Sequence, residues 1–172
     1  MTDTMPTDAA RAFDKHDAFA ETDTGYAVET TVFEGVVSAA EAEAEWALSY
    51  TVSVSVPTLS GTVEGEVGPA VEEGWLDTLE RRLEDAPKAT RASVDLDEFT
   101  VAADGETVHI TYAFTLGSPE QAADVAKTFV EYVEGTYVEG VVPGYDYQPP
   151  VADLLDSSQS GGAEGDRGGT PL

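Results

Sequence analysis

Few residues in this chain have types and spacing suited to chemistry, and each has a plain structural alternative. His109 lies between Val108 and Ile110 in a run of alternating polarity, which places it on the opposite face of a strand from those two. There it can serve as a general base or ligand, or simply as a surface histidine. His16, in Asp14-Lys15-His16-Asp17, has the surroundings of a helix-packing histidine with carboxylates beside it. Asp95, Asp97 and Glu98 offer oxygen ligands, but paired carboxylates run acid–base chemistry only where burial or proximity splits their pKa values. Arg81, Arg82, Lys88 and Arg91 are four of only eight Lys and Arg residues. Such a group can receive an anion or an acidic protein partner. It can equally form a helix salt-bridge ladder, because Asp77 and Asp85 flank Arg81 at four-residue spacing.

Other chemistries have no footing. The chain has no Cys, which removes disulfides, thiolate metal sites and cysteine nucleophiles. Phosphate loops, dinucleotide fingerprints, zinc-protease motifs, calcium loops and serine-nucleophile elbows all lack their residue patterns. No catalytic residue, metal ligand or cofactor is therefore assigned.

The elements that must position these residues sit in a very acidic chain. Its 172 residues include 34 Asp and Glu, for a formal charge of −26. Yet 41% of the residues are hydrophobic, too many for a disordered acidic segment. At physiological ionic strength the screening length is about 8 Å, and such a charge pushes a compact body apart; near 1 M salt it falls to about 3 Å. Extreme charge with ordinary apolar content points to a cytoplasmic protein working in concentrated salt. Residues 1–20 lack a secretory pattern, no apolar run reaches membrane-spanning length, and the charge disfavours nucleic acid and anionic membranes as partners.

Hydrophobic spacing predicts a helix over 8–19, capped by Thr7, then a strand over 26–37 with Tyr26, Val28, Val32 and Val36 on one face. Trp46, Leu48, Tyr50, Val52, Val54 and Val56 alternate strictly with small or polar residues, the mark of a strand with one buried face. A short edge strand is expected over 62–67 and a helix over 69–85, with Gly74 allowing close packing on a neighbour. A hairpin joins 94–101 to 108–116 around Ala103-Asp104-Gly105, with a bulge near Asp97. Ser118-Pro119-Glu120-Gln121 opens a last long helix. Residues 151–155 form a docking turn, and 156–172 a disordered Gly/Ser-rich tail. The expected fold is one α+β domain over residues 7–155. It is an antiparallel sheet of four to five strands with helices on one face, in the order α-β-β-(β)-α-β-β-α.

This element order is similar to that of type III secretion chaperones, without a shared motif. A closer resemblance rests on Arg11–Phe19, Pro57–Leu59, Glu66–Gly68, Glu73–Leu76, Glu80–Asp85, Glu134–Tyr137 and Val142–Tyr145. In these segments the chain resembles a family of small haloarchaeal proteins of unknown function. That resemblance implies no activity, cofactor or site residue.

The second face of the sheet is the remaining signal. Its expected members are Glu29, Thr31, Phe33, Ala47, Ser49, Thr51, Ser53, Ser55, His109, Thr111, Ala113 and Thr115. They include one acid, in a chain that is about one-fifth Asp and Glu. A face spared from acidification is either covered or simply built from Ser and Thr as good strand residues. The preferred reading is a non-catalytic binding or assembly module, with a homodimer through this face as one form. The alternative is a small-molecule binder or enzyme with a pocket between sheet and helices, using Tyr50, Tyr112 or His109.

Overall fold

The computed structural model describes residues 5–157, so most of the expected tail lies outside the described residues. The architecture is α+β. Helix α1 (Thr7–Lys15) precedes the strands β1 (Phe19–Glu21), β2 (Tyr26–Val28), β3 (Glu34–Glu41) and β4 (Leu48–Pro57). A one-turn helix α2 (Leu59–Thr62) and a short strand β5 (Val63–Glu64) lead into α3 (Pro69–Leu83) and a 3-10 turn (Ala86–Ala89). The hairpin β6 (Leu96–Asp104) and β7 (Thr107–Leu116), helix α4 (Pro119–Glu139) and strand β8 (Asp146–Tyr147) complete the order, and residues 151–157 are helical.

The main sheet has six antiparallel strands in the order β1-β2-β3-β4-β7-β6. Two more strands than expected arise near the N-terminus. The first helix stops at Lys15, and Phe19 instead begins a three-residue edge strand. The expected strand over 26–37 is broken at residues 29–33, and the break shifts its phase. Phe33, Gly35 and Val37 face inward, whereas Val32 is 56% exposed. Two carboxylates of α4 hold this detour in place. Glu134 accepts from the backbone N–H groups of Val32 (2.6 Å) and Phe33 (3.1 Å), and Glu131 accepts from the Thr30 hydroxyl (2.6 Å).

The helices cover one face of the sheet. Tyr50, Val52, Val54, Val56, Val108, Ile110, Tyr112 and Phe114 all lie at or below 2% exposure beneath them. Phe13 of α1 packs on Phe19 and Tyr26, with ring centroids at 4.7 and 5.4 Å. Phe129 of α4 wedges between Tyr112 and Phe114 at 4.8 and 5.5 Å. Close approach of α4 to β3 requires Gly35, where an added Cβ would sit 2.6 Å from a Val130 methyl. Two buried-side tyrosines finish α3: Tyr112 donates to the Leu83 carbonyl (2.7 Å) and Tyr132 to the Arg82 carbonyl (2.9 Å), both in the last turn of the helix.

The hairpin turns at Gly105, with φ +64°, and its register shifts between Leu96 and Glu98, which places the bulge at Asp97. The Ser118 hydroxyl accepts from the Gln121 N–H (3.1 Å) and caps α4 as its residues require. Val151, fully buried, docks the last helical segment. Three further expectations change. Residues 62–67 do not edge the main sheet; β5 pairs with β8. Trp46 lies outside β4 and is 74% exposed, while Ala47, expected outside, is buried. Among the described residues, Gly74 meets no neighbour within 4 Å of a built Cβ, so it serves no close packing there. Among the described residues, no helix is long and apolar enough to cross a membrane.

Candidate functional site

Register fixes the membership of the helix-free face. Ser53 pairs with Val36 and Thr111, Thr51 with Ser38 and Ala113, Ser49 with Ala40 and Thr115, and Ser55 with His109. The first residue of each pair and its partners project to the same side of the sheet. Ser49, Thr51, Ser53, His109 and Thr111 are therefore brought together as expected. Across β6, Thr100 and Ala102 extend the patch. Ser53 and His109 are exposed, and Ser49, Thr51, Ser55 and Thr111 are half-buried by their own neighbours. The inner positions of β3, β4 and β7 on this side carry no carboxylate, and Glu34, Glu98 and Asp104 stand at the margins.

Phe33 does not belong to this face. It is 4% exposed and packs edge-on against Tyr137 of α4, with centroids 4.9 Å apart. The break at residues 29–33, which a continuous period-two count cannot register, turns it inward.

The basic cluster is dispersed. Arg81 pairs with Asp77 at 2.9 Å, half of the expected ladder, while Asp85 pairs instead with Lys88 at 3.3 Å. Arg82 leaves that row, crosses to α4 and binds Glu139 at 2.5 Å. It lies over Gly140, where α4 ends without a basic residue of its own, and so supplies the cation that a helix C-terminus favours. Arg91 lies beyond the 3-10 turn, beside Lys127 of α4. Four neighbours in sequence thus serve four separate places.

The candidate acid–base groups are equally scattered. Ser55 Oγ and His109 Nδ1 are 3.5 Å apart, at the outer limit of a hydrogen bond. His16 bridges elements: Nδ1 accepts from the Ala18 N–H (3.2 Å), leaving Nε2 to donate to Asp124 of α4 (2.8 Å). Asp97 accepts from the Thr115 hydroxyl at 2.7 Å. Among the described residues, no group of three His, Asp or Glu side chains could hold a metal ion.

Tyr50, Tyr112 and His109 do not share a cavity. His109 is on the other side of the sheet, and the Tyr112 hydroxyl is committed to Leu83. The Tyr50 hydroxyl is buried without a partner among the described residues. Burial, reinforced by Glu120 and Asp8, pushes its pKa up to about 12, so it stays neutral. The depressions lie elsewhere, among them one of about 840 Å³ against Glu21, Asp23, Glu41, Ser49 and Thr51. Another opens between α3 and the end of α4, a feature that sequence reasoning missed; its signal was Gly74, a helix-interior glycine with no packing duty.

The chain belongs to a family of unknown function, DUF5813, whose model matches residues 14–157. No curated protein and no solved structure matches it, so the likeness in element order to secretion chaperones carries no argument here.

Proposed function

We propose that this chain is a non-catalytic assembly module of a cytoplasm kept in concentrated salt, and that it self-associates through the helix-free face of its sheet. The observation that carries this reading is the contrast within β4 and β7: fully buried aromatic and branched residues on one side, an open, acid-free Ser/Thr surface on the other. A second copy is the fitting occupant. Two bodies of charge −26 repel wherever their acids meet, and each brings the same uncharged patch to a two-fold contact. Small side chains let two such sheets pack face to face at about 10 Å, with hydroxyls bonding across.

Light scattering in multi-molar KCl tests the association. A mass that rises to twice the monomer with concentration supports it, and a strictly monomeric mass at every concentration removes it. Dialysis to about 0.1 M salt, where screening reaches only about 10 Å, tests the high-salt setting, with unfolding by self-repulsion expected. The alternative, an enzyme or binder with a pocket between sheet and helices, gains little from an interface filled by side chains at or below 2% exposure.

A further inference from the structure

The groove between α3 and the end of α4 differs from the rest of this acidic surface. Val71, Gly74, Thr78 and Arg82 follow one another at three- and four-residue steps, with Trp75 beside them, so one stripe of α3 forms its wall. Thr136 and Gly140 of α4 and Val142 beyond it form the other, enclosing about 360 Å³. That volume lies within the range of small-molecule sites, roughly 300 Å³ and upward.

Three observations point to an occupant. The first is Gly74. It stands inside a 15-residue helix, where glycine costs about 1 kcal/mol relative to alanine, and a Cβ built there meets nothing within 4 Å. The fold does not need the missing side chain, but its absence opens the helix backbone beside Trp75. The second is the apolar lining: Val71 is 40% exposed at the entrance, above Trp75 and Leu79 at 6% and 4%. The third is charge. The chain has 34 Asp and Glu, yet among the described residues no carboxylate lines the groove, and its single charged residue is Arg82. Glu139 binds one terminal nitrogen of that guanidinium, which fixes its position and leaves other N–H donors without a partner among the described residues.

We propose that this groove binds a small monocarboxylate with an apolar body, the body lying against Trp75 and Val71 and the carboxylate on Arg82. The groove is separate from the sheet face, so the two readings stand or fall apart.

The probe is 3-phenylpropionate, titrated in multi-molar KCl into a Trp46→Phe variant that leaves Trp75 as the sole indole. A saturable change in Trp75 fluorescence is expected. Binding should weaken at least tenfold for 3-phenylpropan-1-ol, which lacks the carboxylate, and for Arg82→Gln. Gly74→Leu, which fills open space, should abolish it while native circular dichroism is retained. In the unmutated chain, amide chemical-shift changes should centre on residues 71–82 and 136–142, a readout independent of any variant's folding. No saturable change, equal binding of acid and alcohol, binding undiminished in Gly74→Leu, or shifts centred elsewhere would each overturn the proposal.

Discussion

The two faces of one sheet show what the same strands do under different demands. On the helix side, β4 presents Tyr50, Val52, Val54 and Val56, all at or below 2% exposure. On the other side, the same strand presents Ser49, Thr51, Ser53 and Ser55, between half-buried and exposed. The buried side is tied down by ring stacking and tyrosine hydroxyls. The open side has neither, and its β4 and β7 positions carry no carboxylate. Stability should therefore be concentrated on one face and association on the other.

Truncation at the centre of the buried face should have the largest effect. Phe129→Ala removes the ring between Tyr112 and Phe114 and should cost about 3–5 kcal/mol in denaturant unfolding at high salt. A loss below about 1 kcal/mol would mean that the helix layer is not the core. Gly35→Ala drives a methyl into Val130 and should cost about 1–3 kcal/mol, unless α4 can shift away. Tyr112→Phe strips the Leu83 carbonyl of its donor at the end of α3, for about 1–3 kcal/mol.

The tyrosines also set an alkaline limit. Burial raises the pKa of Tyr26, Tyr112 and Tyr137 well above the ordinary value, and that of Tyr50 to about 12. A pKa raised on folding gives stability that is intact below the unfolded value of about 10 and is lost as pH climbs toward the folded values. Tyrosinate absorbance from these rings should therefore rise together with loss of circular dichroism above about pH 10. A full tyrosinate signal from a chain that keeps its native spectrum would contradict this. The smallest stability effect belongs to the open face. Ser53→Glu should leave monomer stability within about 0.5 kcal/mol while it abolishes self-association. A dimer that survives Ser53→Glu and Thr111→Glu together would locate the contact elsewhere.

Much of this contrast was legible in the residues. Strict alternation in β4 and β7 identified both faces, and the phase change near Asp97 announced its bulge. Local rules failed where a distant group decided the outcome. Phe33 and Val32 exchange faces because Glu134, about a hundred positions later, gathers their N–H groups. Trp46 fits the period of β4, yet the strand begins only at Leu48. Arg82 looked like one of four clustered bases because spacing along α3 does not reveal that α4 ends beside it. The groove was hidden because a glycine at a helix position says only that something is missing.

The bulge at Asp97 also bears on how the sheet can grow. A sheet with exposed edges recruits further strands unless those edges are blunted. Here one edge, β1, is three residues long. The other, β6, is kinked at its start and bears Asp97, Glu98 and Asp104 along its length. Neither offers a long, flat, uncharged row of backbone donors and acceptors. Lateral addition, the route to open-ended fibres, is disfavoured at both ends, and the broadside contact proposed above would stop at two.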